Sequence, residues 1–138
     1  MITIPQTQEP LVLRTDFSNE GQWTAICTEI VTPHPEYGFI PYVEFISDIH
    51  FQNFTEEMLN SHPPTEYQHA FIFLVDDLTF SNPEHPILCI GLLHNKGMKF
   101  RTLPSEMWCV ENNLSISNMD FENFIDQLDE NGIYRGFM

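Results

Sequence analysis

Residues 70–75 form an unbroken apolar run, AFIFLV, which is followed at once by Asp76 and Asp77. The run is rich in aromatic and β-branched residues and is too short for a helix of useful length. Such runs are typical of a strand that is covered on both faces, in the middle of a sheet with helices on either side. We therefore expect residues 70–75 to form the central strand.

Four other segments have the apolar content and the length of strands. They are Leu11–Thr15, Tyr42–Ser47, Ile87–Leu93 and Met98–Leu103. The last two are separated by residues 94–97, HNKG, whose Asn and Gly suit the positive φ angles of a hairpin turn. These two segments are therefore predicted to pair antiparallel, which makes the sheet mixed.

Two segments between the strands show helical periodicity. The first has apolar residues at i, i+3, i+4 and i+7, with three candidate N-caps before them. Its apolar residues are Trp23, Ile26, Cys27 and Ile30, and its candidate caps are Asp16, Ser18 and Asn19. The second predicts a shorter helix from Phe51, Phe54, Met58 and Leu59, which ends at His62-Pro63-Pro64.

Two more helices are predicted near the C-terminus. Pro104 suits the first turn of a helix, and Asn112-Asn113 is expected to end or kink it. Ser117 or Asn118 is expected to cap the last helix. Its apolar face is Phe121, Phe124, Ile125 and Leu128. The apolar tail, IYRGFM, is expected to dock on the domain.

The order of elements predicts a single α/β domain over residues 11–138, with α+β as the alternative fold class. We expect a mixed, mostly five-stranded sheet packed with about four helices in two or three layers. Residues 1–10 contain two prolines and several Thr and Gln residues. They are predicted to be a flexible N-terminal arm.

The charge of the chain narrows the classes of partner. Twenty Asp and Glu stand against five Lys and Arg, so the formal net charge is −15. Nucleic acid and anionic membrane are bound through Lys and Arg, so neither is expected as a partner. The charge is explained first by plain solubility, and a basic protein partner is the alternative.

The cysteines and the N-terminus indicate the compartment. Cys27, Cys89 and Cys109 are far apart, odd in number and without a C-x-x-C pair, which points to a reducing environment. Neither a signal peptide nor a membrane-spanning run is expected from the sequence. The predicted localisation is therefore cytoplasmic.

Four aspartates directly follow predicted strands: Asp16, Asp48, Asp76 and Asp77. If the first three strands are parallel, these carboxylates share the sheet edge at which open α/β sheets bind ligands. Such a cluster could hold Mg²⁺ for phosphoryl transfer, or a phosphorylatable Asp as in receiver domains. The other reading is that they cap helices. No Gly-rich phosphate loop, zinc spacing or nucleophile motif accompanies them, so no catalytic residue and no cofactor is assigned.

The arginines and a group of asparagines complete the candidate binding residues. Arg14, Arg101 and Arg135 are rare cations among many carboxylates, which favours structural ion pairs, with a convergent anion site as the alternative. Asn112 and Asn113 lie in a dense group of amides that suits helix caps and backbone hydrogen bonds. A binding role for these two residues is the alternative.

Several stretches together resemble a bacterial family of small acidic proteins that is described as a domain of unknown function. These stretches are RTDF at 14–17, FRTLP at 100–104, NNLSISNMDFENF at 112–124 and GIYRGF at 132–137. The resemblance spans residues 11–137 and implies a bacterial, intracellular, stand-alone domain, without implying an activity. Its signature positions are Arg14, Asp16, Asn112, Asn113, Asn118, Asp120, Arg135 and Gly136.

These observations favour a non-enzymatic, acidic binding or regulatory domain. Its specific form would be an immunity or antitoxin-type inhibitor of a basic partner. The alternative is a Mg²⁺-dependent phosphoryl-transfer enzyme or receiver-like domain that uses the acidic sheet edge. A purely structural subunit is the third hypothesis, and the chain is expected to be a monomer or a homodimer.

Overall fold

The computed structural model describes residues 3–61 and 64–136 of the 138 residues. Its strands are β1 (Leu11–Arg14), β2 (Glu44–Ile46), β3 (Phe71–Val75), β4 (Ile87–Gly91), β5 (Lys99–Thr102) and β6 (Ile133–Tyr134). They form one sheet in the order β2-β1-β3-β4-β5-β6. Every residue of β3 is buried, so the prediction of a central strand covered on both faces is confirmed.

The sheet is mixed, as predicted. β1 pairs parallel with both β2 and β3, and β6 pairs parallel with β5. β4 runs antiparallel to β3 and to β5. The C-terminal ends of β1, β2 and β3 therefore lie at one edge of the sheet, which is the arrangement that the acidic site requires.

The sheet has six strands where about five were expected. The additional strand is β6, whose two residues are too short to show any alternation in the sequence. Ile133 and Tyr134 are buried beside β5, so this part of the apolar tail docks as expected. Residues 137 and 138, the end of that tail, lie outside the described residues.

The helices are α1 (Glu20–Val31), α2 (Glu56–Ser61), α3 (Asp77–Ser81), α4 (Met107–Ser115) and α5 (Phe121–Ile125). α1 is the helix predicted from the periodicity of Trp23, and Asn19 caps it by accepting a hydrogen bond from the N–H of Gln22. A 3₁₀ turn at Pro104–Glu106 leads into α4, as Pro104 predicts.

The second predicted helix is divided in two. Phe51 ends a 3₁₀ turn that begins at Ile49, and Asn53 has a φ of 62°, which breaks the helical path. The helix proper, α2, begins only at Glu56. Residues 62 and 63 of the predicted stop at residues 62–64 lie outside the described residues.

Three details near the other helices also differ from the predictions. α3 lies in a stretch for which no helix was predicted. α4 continues through Asn112-Asn113 to Ser115. Asp120, rather than Ser117 or Asn118, caps α5 through a capping box with Asn123.

The two faces of the sheet carry separate apolar cores. Side chains from α1, α4 and α5 pack on one face, against strand residues that include Phe71 and Phe73. The other face is covered by Phe51, Phe54 and Leu59, which pack against the alternate strand residues. This alternation follows from the period of two along a strand, and it places helical or turn segments on both sides of the sheet.

Residues 3–10 belong to the segment that was predicted to be a flexible arm, and in the structure they are docked. Ile4 is only 4% exposed within the second core. The N–H groups of Gln8 and Glu9 donate to Glu44 Oε1 at 3.0 and 3.2 Å. Residues 1 and 2 of the predicted arm lie outside the described residues.

The described helices are short. The longest of them, α1, has 12 residues. Within residues 3–61 and 64–136, none combines the length and the apolar character that crossing a bilayer requires.

Candidate functional site

The C-terminal ends of β1 and β3 border a surface cavity of about 390 Å³. Three of the aspartates that the sequence places at this edge, Asp16, Asp76 and Asp77, line the cavity together with Glu56. Asp48 is not among the lining residues and instead caps the 3₁₀ turn after β2. The predicted edge thus brings three of the four aspartates to one cavity.

Asp76 is engaged by its own surroundings. Its Oδ1 accepts a hydrogen bond from the N–H of Thr79, which forms the capping box at the start of α3. The guanidinium of Arg101 donates to both carboxylate oxygens of Asp76, at 2.9 and 2.7 Å. Burial raises the pKa of Asp76, but the hydrogen bonds and charge of Arg101 outweigh it, so this pKa lies below its usual value. Little acceptor capacity is left for a ligand.

The remaining aspartates also bond to nearby backbone. Asp16 accepts from the N–H of Ser18 at 2.8 Å, and Asp77 accepts from the N–H of Leu78 at 3.0 Å. The backbone N–H of His50 lowers the pKa of Asp48, and the His50 ring adds to this effect. Within the described residues, no three Asp, Glu, His or Cys side chains converge in a way that could hold a metal ion.

Arg14, the last residue of β1, is buried and lies over two aromatic rings. Its guanidinium carbon is 4.3 Å from the ring centroid of Phe17 and 5.4 Å from that of Trp23. Its Nη1 donates to Glu20 Oε2 at 2.7 Å, and its Nε donates to the carbonyl of Asp16. The expected carboxylate partner is present, although Glu20 is exposed rather than buried.

Arg135 joins two segments that are distant in sequence. Its two terminal nitrogens donate to the carboxylate oxygens of Glu84, both at 2.7 Å, and its Nε donates to Asp129 at 2.7 Å. These hydrogen bonds lower the pKa of Glu84 and of Asp129 and raise that of Arg135. These ion pairs tie the residue that follows β6 to the connection that precedes β4.

The two candidate asparagines, Asn112 and Asn113, have different surroundings. Asn113 donates to the carbonyl of Cys109 at 2.8 Å and accepts from Asn118 Nδ2 at 2.8 Å, so it braces the end of α4. Asn112 is exposed and lines a second cavity.

This second cavity has a volume of about 380 Å³ and lies between the loop at residues 33–42 and α4. We call it the aromatic pocket. It is lined by Gly38, Phe39, Ile40, Tyr42, Trp108, Glu111 and Asn112. Phe39 and Tyr42 are 56% and 67% exposed, which is unusual for such large apolar side chains.

The rings of the loop gather around Trp108. The ring centroids of His34, Tyr37 and Phe39 lie 5.7, 5.5 and 5.1 Å from that of Trp108. His34 also stacks on Tyr37 with a centroid distance of 5.0 Å. Such spacings are typical of favourable aromatic pairs, so the loop is held in place by its own rings.

A hydrogen bond to a carboxylate anchors the same loop. The N–H groups of Glu36 and Tyr37 point at His34 Nδ1, at 3.1 and 3.3 Å, so Nδ1 is the acceptor nitrogen of the ring. The proton therefore lies on Nε2, which donates to Glu106 Oε2 at 3.1 Å. Gly136 packs against this carboxylate so closely that an added Cβ would lie 2.6 Å from Glu106 Oε1.

Glu111 is a buried carboxylate in the wall of the aromatic pocket. It is 4% exposed. Its Oε1 accepts from the N–H of Tyr42 at 2.8 Å, and its Oε2 accepts from the hydroxyl of Ser115 at 2.7 Å. Among the residues that the structure describes, no Lys, Arg or His nitrogen lies within 4.0 Å of it.

Sequence reasoning did not identify the aromatic pocket. Of the predicted site residues, only Asn112 lines it. The usable sequence feature was the density of Tyr and Phe in a proline-rich loop, at 37–42, because a loop has no core of its own to fill. Trp108 and Glu111 gave no comparable indication, since both fit an ordinary amphipathic helix.

Comparisons with known proteins assign the chain to a family for which no activity is named. The model of the family described as a domain of unknown function (DUF6924) matches residues 9–137. No curated protein and no solved structure matches the chain. The matched range contains all the described strands and both cavities, in agreement with the resemblance over residues 11–137. The chain therefore belongs to the DUF6924 family, a domain of unknown function.

Proposed function

We propose that this chain is a non-enzymatic protein-binding domain of the cytoplasm and that its partner is a basic protein. The observation that carries the proposal is the exposed aromatic pocket on a strongly acidic chain. Tyr37, Phe39 and Tyr42 are 55%, 56% and 67% exposed. Aromatic side chains of this kind are enriched where protein interfaces gain most of their binding energy.

Charge defines the class of partner. The formal net charge is −15, and Arg14, Arg101, Arg135 and Lys99 each pair with a carboxylate of this chain. The resulting field accelerates encounter with a basic surface and disfavours nucleic acid and anionic membrane. In its specific form, the domain would be an immunity or antitoxin-type inhibitor that covers the basic surface of a toxin.

The enzymatic alternative, Mg²⁺-dependent phosphoryl transfer or a receiver-like domain, has one feature in its favour. That feature is the cavity of about 390 Å³ with its three aspartates. Against it, Asp76 is paired with Arg101 and caps α3. A bound ion would raise the melting temperature by mass action. We expect no rise with excess Mg²⁺, and a rise that an Asp77→Asn variant abolishes would favour the enzyme.

The proposed function is tested by comparing what two immobilised proteins retain from a lysate of the native host. One is the wild type, and the other is the double variant Phe39→Ser and Tyr42→Ser. Both rings are largely exposed, so the double variant should keep the fold. We expect a basic protein to be retained by the wild type and lost by the variant.

A matched control is available in the same chain. Ile49 and Ile116 are 57% and 63% exposed, and neither lines the aromatic pocket. The double variant Ile49→Ser and Ile116→Ser should therefore retain the partner as the wild type does. Equal retention by both double variants, or retention only of acidic proteins, contradicts the proposed function.

A further inference from the structure

We infer that the aromatic pocket binds one arginine side chain of the basic partner, with its guanidinium paired to Glu111 and stacked on the rings of the pocket. The inference rests on the proposed function and deepens it, because it names the chemical group that the pocket recognises. Three features of the pocket support it: a buried carboxylate without a cation, aromatic walls, and a buried donor without an acceptor.

Glu111 supplies the first feature. A buried carboxylate is unfavourable unless a cation or several hydrogen bonds compensate it. Asp76 and Glu106 are also mostly buried; Asp76 pairs with the guanidinium of Arg101, and Glu106 accepts a hydrogen bond from the ring of His34. Glu111 is more buried than either, yet each of its oxygens has one hydrogen bond and no cation among the described residues. A carboxylate has about four acceptor sites, so an incoming guanidinium can still bond to it.

The aromatic walls supply the second feature. Phe39, Tyr42 and Trp108 line the cavity that Glu111 also lines. The faces of aromatic rings attract cations, and the flat guanidinium of arginine both stacks on a ring and donates in parallel to a carboxylate. A lysine ammonium lacks the flat shape and the paired donors. The pocket therefore suits arginine better than lysine.

The same recognition already occurs once inside this molecule. Arg14 lies over the rings of Phe17 and Trp23 while it donates to the carboxylate of Glu20. The aromatic pocket contains the matching rings and carboxylate without the arginine. A guanidinium from another chain would complete the same set of contacts.

Trp108 supplies the third feature. Its indole Nε1 is buried and has no hydrogen-bond acceptor among the described residues. A buried donor without a partner calls for an explanation such as a bound water or ligand, and Trp108 is one of the residues that line this cavity. The cavity volume of about 380 Å³ also lies within the range of about 300–1,000 Å³ that is usual for ligand pockets. It is large enough for one long side chain and its adjoining backbone.

The test is an NMR titration of the ¹⁵N-labelled protein with the blocked peptide Gly-Arg-Gly. The chain has two tryptophans, so the indole N–H signals of Trp23 and Trp108 report separately. We expect a saturable shift of the Trp108 signal and none of the Trp23 signal. Blocked Gly-Lys-Gly should bind about tenfold more weakly. Absence of a Trp108 shift, or equal binding of both peptides, overturns the inference.

Two variants with the same change in charge make the test specific. Glu111→Gln keeps an acceptor for the N–H of Tyr42 and should weaken binding of the arginine peptide by about tenfold or more. Glu122 is exposed on α5 and does not line the pocket, so Glu122→Gln should bind as the wild type does. Equal weakening by both variants would mean that only the net charge matters, which overturns the role of Glu111.

The failure of this inference and the failure of the proposed function give different results. If a basic partner requires Phe39 and Tyr42 but binds Glu111→Gln as tightly as the wild type, the arginine inference is wrong and the proposed function stands. If the arginine peptide binds as described but no basic partner depends on the pocket, the proposed function is wrong and the pocket chemistry stands.

Discussion

At the scale of single residues, the partners of each carboxylate decide what it can do. The four aspartates of the predicted site look alike in the sequence, because each follows a strand. In the structure, Asp76 is held by Arg101 and by α3, whereas Glu111 is buried without a cation among the described residues. The first arrangement stabilises the fold, and the second leaves a charge for a ligand to neutralise.

The Asp76–Arg101 pair leads to a stability prediction. Asp76→Asn removes the ion pair and leaves the half-buried Arg101 without its carboxylate. We expect the free energy of unfolding to fall by about 2–3 kcal/mol. Asp77→Asn is the matched control, since Asp77 is exposed and should change the free energy by about 0.5 kcal/mol or less. Equal effects in urea denaturation would contradict a structural role for Asp76.

The same pair predicts a dependence on pH. The pKa of Asp76 is lowered from 3.8 in the folded protein, so its stabilisation is present above the unfolded value and is lost as the pH falls through the folded value. The difference in unfolding free energy between wild type and Asp76→Asn should be constant above about pH 5 and shrink below about pH 4. Denaturation curves over this range measure it. A difference that grows on acidification would contradict the prediction.

At the scale of elements, the segments with a clear apolar run or a clear helical spacing were predictable. The segments without such a pattern were not. β3 follows from an unbroken apolar run, which is typical of a strand covered on both faces. α1 follows from apolar residues at helical spacing. α3 has five residues and β6 has two, so neither is long enough for its period of 3.6 or 2 to repeat several times. The helix expected from Phe51 was divided because Asn53 adopts a positive φ, which spacing alone does not reveal.

A substitution of Gly136 tests whether the contact between Glu106 and His34 anchors the loop at residues 33–42. An alanine Cβ there would lie 2.6 Å from Glu106 Oε1 and displace the carboxylate that pairs with His34, besides straining a φ of +97°. We expect Gly136→Ala to lower the unfolding free energy by about 2–3 kcal/mol. It should also speed chymotryptic cleavage within the loop.

The control for this prediction is Gly97→Ala. Gly97 has a similar φ of +92°, but apart from its two chain neighbours no atom of the described residues would lie within 4 Å of a Cβ added there. The substitution should therefore cost only the backbone strain, about 1 kcal/mol. If both variants lose the same stability and the loop is cleaved at the same rate, Gly136 does not anchor the loop.

The docked N-terminal segment gives a further test. Ile4 is 4% exposed in the second core, so Ile4→Ala should lower the unfolding free energy by about 2 kcal/mol. The exposed side chain of Gln8 makes Gln8→Ala a suitable control, with an expected change near zero. A negligible effect of Ile4→Ala in urea denaturation would instead support the flexible arm that the sequence predicted.

At the scale of the whole molecule, the sheet edge was predictable and the aromatic pocket was not. Parallel strands place their ends together by geometry, so the position of Asp16, Asp76 and Asp77 follows from the order of elements. The pocket depends on contacts between residues far apart in sequence. Tyr42 and Glu111 are 69 positions apart, and His34 and Glu106 are 72 apart. No local pattern encodes such pairings.

The aromatic pocket lies on a chain whose formal net charge is −15, and both features bear on binding. In the proposed complex the pocket would provide the local contacts, and the charge would act over longer distances, before contact is made. We therefore propose that the exposed rings bind a partner that brings both apolar surface and arginine.

The most direct test of this claim is the association rate of the retained basic protein as a function of ionic strength. Raising the ionic strength from about 0.01 M to about 1 M shortens the Debye length from about 30 Å to about 3 Å. The account predicts that stopped-flow association slows by about tenfold or more over this range. An association rate that stays the same across it would contradict the claim that this acidic domain recognises a basic partner.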